Sequence, residues 1–163
     1  MPSRCDELAD EILQHAEAHG LTVCTAESCS AGQLATRLAK AEGAAKAFLG
    51  GFVTYTKDAK IRMLGVPEAA IQDGTAVCAV VAEAMALGAV KKSGATFGVS
   101  ITGVAGPGPD EDGNPVGLVY CGVAREDGTT RHVQLELGQG EPEAIIEQAC
   151  AAALSLLRHL AFS

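Results

Sequence analysis

Apolar residues recur along this chain at two spacings, and the switches between them mark out its elements. Leu8, Ile12, Leu13 and Ala16 stand three or four apart, the period that lines one face of an α-helix. Ser3 and Asp6 ahead of them read as an N-cap with an acidic first turn, and Gly20 as the stop. LTVCTA (21–26) is a short β-favouring run. Ala31, Leu34, Ala35 and Leu38 return to helical spacing, starting from Ser28 or Ser30 and ending before Gly43. FLGGFVTYT (48–56) reads as a second strand, its glycine pair suited to a bulge or a close backbone approach. TKDAKIRMLGV follows as a short helix punctuated by Gly65 and Pro67.

Val77, Val80, Val81, Ala84, Leu87 and Gly88 form a long helical stripe that ends at Lys91, Lys92 and Gly94, a cationic last turn and a stop. ATFGVSIT (95–102) is nearly all apolar, as in a strand buried on both faces. The glycine- and proline-rich TGVAGPGPDEDGNPVG comes next. GLVYCGVA and TRHVQLEL are then joined across Arg125–Thr129, with Asp127-Gly128 at the turn. Val133, Leu135 and Leu137 alternate with His132, Gln134 and Glu136, so this last strand is half solvated. Pro142 opens a final helix that carries Ile145, Ile146, Ala149, Ala153, Leu156, Leu157 and Leu160. Helices that alternate with strands, followed by a hairpin, predict a single three-layer α/β/α domain over residues 1–163 with a mixed, partly antiparallel sheet.

Composition sharpens this picture. Hydrophobic residues make up 48% of the chain but aromatics only 4%, so the expected core is aliphatic, with closely approaching, alanine-rich helices. Such helices also suit a homo-oligomer. A formal charge of −8 argues against nucleic acid or an anionic membrane as partner. A small anionic ligand is still compatible, because a ring of backbone amides can oppose the global field. The six cysteines include no C-x-x-C pair and no cysteine–histidine ladder, so free thiols, no metal and a reducing cytoplasm are expected. The N-terminal segment has no apolar signal core, and no apolar run approaches the ~20 residues of a membrane span. A cytoplasmic protein is the expectation.

Three segments concentrate reactive groups: TAESCSAG (25–32), TYTKDAK (54–60) and ITGVAGPG (101–108). Each lies at or just after the end of a strand, where open α/β sheets gather ligands. Ser28 reads as a helix cap or as a nucleophile, and Cys29 is its rival, since a thiolate near a helix N-terminus is activated. None of the four histidines falls in a strand-end loop, and G-x-S-x-G is absent. Lys60 can replace histidine as the base if desolvation lowers its pKa, with Tyr55 as a relay. Gly103, Gly106 and Gly108 would let backbone amides approach an anion, although neither a P-loop nor a dinucleotide fingerprint is present. The acidic tip Asp110, Glu111 and Asp112 is expected to face solvent. Lys46, Arg62 and Arg131 are the candidate cations for a phosphate.

TAESCSAG, GGFVTYTKDAKIRMLGV, SITGVAGPG and NPVGLVY, in that order, resemble the C-terminal-domain family of the competence/damage-inducible protein CinA, which includes stand-alone nicotinamide-nucleotide amidohydrolases. The likeness runs from about Leu8 to Leu160. It implies hydrolysis of the carboxamide of nicotinamide mononucleotide, with no cofactor and no metal. Matched to the family's motifs, Ser28 is the nucleophile, Tyr55 and Lys60 its partners, and Thr102 a further catalytic residue. Glu27, Ser30, Ala31, Gly32, Gly103, Ala105 and Gly106 fall at substrate-binding positions. Two departures stand out. Ser30-Ala31 replaces the usual threonine-glycine, and Cys78 replaces a serine helix cap. Alternatives are an amidase for another heteroaromatic amide and a non-catalytic nucleotide-binding module.

Overall fold

Ser3 starts the first helix, α1 (Arg4–His19), through a reciprocal pair of bonds. Its hydroxyl accepts from Asp6 N at 3.2 Å, and the Asp6 carboxylate accepts from Ser3 N at 3.0 Å. The computed structural model, which describes residues 1–72 and 74–163, continues with β1 (Val23–Glu27), α2 (Gln33–Ala39), α3 (Ala44–Ala47), β2 (Phe48–Val53) and α4 (Lys57–Leu64). After these come α5 (Glu68–Gln72), α6 (Ala79–Ser93), β3 (Phe97–Gly103), β4 (Leu118–Arg125), β5 (Thr130–Glu136) and α7 (Pro142–Ala161).

The five strands form one sheet in the order β2-β1-β3-β4-β5. β1 runs parallel to both neighbours, whereas β3, β4 and β5 are antiparallel, so the sheet is mixed as the sequence predicts. Alternation along β1 and β3 divides the core. Val23, Val99 and Ile101 join Leu8, Ile12, Leu154 and Leu157 under α1 and α7. Cys24 and Ala26 turn the other way, towards Leu64, Val81 and Met85 of α4 and α6. The structure is an α/β/α sandwich.

Helix α6 lies very close to its sheet face. A Cβ on Gly98 would stand 2.2 Å from Ala86 O, and one on Gly122 would stand 2.4 Å from Ala82 O. Ser100 completes the contact by donating to Ala82 O at 2.6 Å. Small residues on both surfaces permit this approach, and dispersion contacts then replace bulky side chains.

Three local expectations change, and that of Cys78 as a weak helix cap holds. Helix α2 begins at Gln33, not at Ser28 or Ser30. The short α3 and α5 were not anticipated, because four or five residues carry no readable period. Cys78 does occupy the cap position of α6 and makes no side-chain cap bond; its thiol donates to Thr75 O at 3.2 Å. Helix α7, at 20 residues, is long and apolar enough to cross a membrane by length and composition, against the expectation that no run approached that size. Here Ile145, Ala149, Ala153, Leu157 and Leu160 are buried in the core beside α1.

Candidate active site

β1, β2 and β3 run in one direction, so their carboxyl ends meet at one edge. Glu27 pairs with Val53 on one side and with Ile101 on the other. The chain leaves β1 for β2 and later returns to β3 across it, which opens a crevice beyond these ends. Ser28 is the first residue past β1. Its N–H donates to Ile101 O at 3.0 Å, and Thr54 N donates to Glu27 O at 2.8 Å. The sheet itself therefore fixes the backbone at Ser28.

Glu27 holds the turn that follows. Its fully buried carboxylate accepts from Ser30 Oγ at 2.6 Å, from Leu34 N at 2.8 Å and from Ala35 N at 3.0 Å. The last two are first-turn amides of α2, so Glu27, and not Ser28, satisfies the helix start. A buried carboxylate at a helix N-terminus also interacts favourably with the helix dipole. Ala31 and Gly32 complete the turn with φ of 45° and 96°. At Ala31 the methyl makes this left-handed conformation costly. Ala31→Gly is expected to raise the unfolding free energy by about 0.5–1 kcal/mol, the relieved strain being partly offset by chain entropy. A denaturant titration checks this, and a loss of stability would show that the methyl is not strained there.

Lys60 approaches from α4. Only 1% of its surface is exposed, yet it is among the largest buried side chains. Its Nζ lies 2.8 Å from Ser28 Oγ and 2.7 Å from Thr54 O. Among the described residues no carboxylate forms an ion pair with it. Burial therefore dominates and pushes the amine down to about 8. Cys29 responds in the opposite direction: burial pushes its thiol up to about 11, so it stays protonated at neutral pH.

A cavity of about 900 Å³ opens over this pair. Ser28, Tyr55, Lys60, Thr102, Gly103, Ala105 and Gly106 all line it. Glu27, Ser30, Ala31 and Gly32, expected at substrate-binding positions, are not among the residues that line it; they build the turn behind Ser28. Tyr55 is 70% exposed at the rim, and Lys60 reaches Ser28 without it, so no relay is needed in this arrangement. Thr102 is buried and its hydroxyl donates to Ala76 O at 2.8 Å, clamping the end of β3 to the segment before α6.

Glu111 and Asp112 of the acidic tip are exposed, as expected, and Asp110 is half-buried; all three also form part of the cavity wall. Asp110 organises it: Oδ1 accepts from Asp112 N at 3.0 Å and Asn114 N at 2.8 Å. Lys57, which no sequence signal singled out, meets the tip at Asp112 (2.9 Å) and Glu111 (3.4 Å). The only hint was its place one helical turn before Lys60. Lys46, Arg62 and Arg131 do not line the cavity; Lys46 lies 4.0 Å from Glu17, and Arg62 is 2.8 Å from Asp58.

Residues 5–161 match the CinA C-terminal domain family. The chain belongs to that family. A CinA-like protein of Mycolicibacterium gilvum is 45% identical over 141 residues, which is 85% of this chain but 33% of the relative. The chain thus spans about a third of the length of that relative. The nicotinamide-nucleotide amidohydrolase PncC of Escherichia coli K12 is 39% identical over 153 residues, covering 93% of this chain and 91% of PncC. Among solved structures, the competence/damage-inducible protein CihA of Agrobacterium tumefaciens superposes with a TM-score of 0.93 at 38% identity, over 98% of this chain and 97% of CihA.

Proposed function

We propose that this CinA-family domain is an amidohydrolase that converts nicotinamide mononucleotide to nicotinate mononucleotide and ammonia, with Ser28 as nucleophile and Lys60 as base. The observation that carries this reading is the buried contact of 2.8 Å between Lys60 Nζ and Ser28 Oγ, with the amine lowered to about 8. The likeness to PncC over nearly the full length of both chains supports the substrate.

In its neutral form Lys60 keeps one N–H on Thr54 O and turns its lone pair towards the Ser28 hydroxyl. The Ser28 proton passes to Nζ as Oγ bonds to the carboxamide carbon. Nζ then returns that proton to the departing nitrogen, and ammonia leaves a nicotinoyl ester on Ser28. Water attacks the ester with Lys60 again taking its proton and passing it to Ser28 Oγ, which frees nicotinate mononucleotide and restores the serine. The oxyanion needs backbone donors. Leu34 N and Ala35 N are occupied by Glu27, and Ala31 N and Gln33 N by the carbonyls of Ser28 and Ser30. The amides of Cys29 and Ser30, in the turn itself, meet only the weakly accepting Cys29 sulfur among the described residues and are the donors assigned to that role. Tyr55 offers its ring as a wall at the mouth.

Ammonia release from nicotinamide mononucleotide, with a chelator present, tests the reading. Turnover is expected without added metal. A panel of other heteroaromatic amides, compared by kcat/KM, should rank below the mononucleotide; a better amide would displace it as substrate, and tight binding without turnover would favour a non-catalytic module.

A further inference from the structure

We propose that Lys57 selects a phosphate-bearing substrate and is held in reserve at the cavity mouth by Asp112 and Glu111. This rests on the reading of the site as one for a nicotinamide nucleotide. Among the described residues only two cations line the cavity, Lys57 and Lys60. Lys60 is buried and committed to Ser28 and Thr54 O. Lys57 stands three residues earlier, a spacing that puts both side chains on one flank of α4. One lysine therefore addresses the reacting end of a ligand and the other the rim.

The rim is otherwise acidic. Asp58, Asp110, Glu111 and Asp112 all border the cavity, and a phosphate dianion entering there meets repulsion. Asp58 is paired with Arg62, and Asp110 is bonded to the amides of Asp112 and Asn114 and to the Asn114 side chain. Asp112 and Glu111 are neutralised by Lys57 alone among the described residues. Their side chains are 26% and 74% exposed, so water can resolvate them once they are released. A solvated pair of this kind holds weakly, whereas a phosphate presents the ammonium with a doubly charged acceptor bearing several oxygens. Exchange of carboxylate for phosphate at Lys57 would also release the tip residues that line the cavity.

The test compares nicotinamide mononucleotide with nicotinamide riboside, which lacks only the phosphate. Binding by calorimetry and ammonia release would be measured for wild type, Lys57→Ala, Lys57→Arg and Asp112→Asn. Lys57→Ala is expected to raise Kd and KM for the mononucleotide about tenfold, with kcat much less affected and the riboside shifted less than about twofold. Lys57→Arg should recover most of that loss. Asp112→Asn, which leaves Lys57 half released, should lower KM for the mononucleotide severalfold. Equal effects of Lys57→Ala on both ligands, or none on either, would overturn the assignment. Phosphate-dependent binding through Lys57 without any ammonia release would support it while overturning the amidohydrolase reading. Failure of wild type to bind either compound would overturn both.

Discussion

Ser28→Ala is expected to lower ammonia release from nicotinamide mononucleotide by about three orders of magnitude or more, with a much smaller change in substrate binding. The side chain supplies the oxygen that bonds to the carboxamide, and no neighbour is placed to substitute for it. Cys29 is adjacent, but its thiol is pushed up to about 11, so almost no thiolate exists at neutral pH. Cys29→Ala should therefore retain most of the activity. The fold should survive the loss of the hydroxyl, because Ser28 is anchored through its backbone N–H to Ile101 O and Lys60 keeps its bond to Thr54 O. An unchanged thermal unfolding transition would establish this. A wild-type rate in Ser28→Ala, or an inactive Cys29→Ala with native stability, would move the nucleophile to Cys29.

Lys60→Met should produce a loss of similar size and, at the same time, a more stable protein. Burial lowers the amine from an ordinary 10.5 to about 8, which fixes the sign of the pH dependence. Between those values the unfolded chain holds a proton that the folded chain has released, so stability rises with pH across the window from about 8 to 10.5. Below about 8 the folded protein must bury an ammonium without an opposing charge. The associated penalty is on the order of 3 kcal/mol. Methionine is one atom shorter but keeps an unbranched apolar stem and removes the charge, so Lys60→Met is expected to gain up to roughly that amount at pH 7. The rise in stability through the window should vanish with it. For wild type, kcat/KM should climb about tenfold per pH unit below about 8 and level off above, as the fraction of neutral amine grows. Denaturant titrations and rate profiles over pH 6–10 measure the two effects separately. A flat rate profile would exclude Lys60 as the base, and a destabilised Lys60→Met would show that its bonds to Ser28 and Thr54 outweigh its burial.

These two residues also show how unevenly the chain can be read. Ser28 was visible as a candidate because local composition crowds a serine, a cysteine and a glutamate after a strand. The role of Glu27 was not, since its bonds to Leu34 N and Ala35 N depend on a turn in which Ala31 and Gly32 both adopt positive φ. Reading Ser28 as the cap followed a sound local rule, but a longer carboxylate two turns away from the amides satisfied them instead. The tip at Asp110–Asp112 is legible only in part. Three carboxylates in a glycine-rich loop read as solvated, and Glu111 and Asp112 are exposed, but no local pattern shows that Lys57, more than fifty residues earlier, pairs with these two at the cavity wall.

Local pattern in the chain sets the order and type of the longer elements, the mixed sheet, and the strand ends at which reactive groups gather. Period, caps and turn residues act over a few positions, so α1 appears with both of its caps and the final hairpin with its turn. What each group at those ends can do depends on the packing around it. Lys57 and Lys60 are the same residue on one short helix, yet the first is a half-exposed, ion-paired cation and the second a buried amine near neutrality. Desolvation makes that difference, and it depends on atoms brought together from β1, β2 and β3, which no local pattern in the chain encodes.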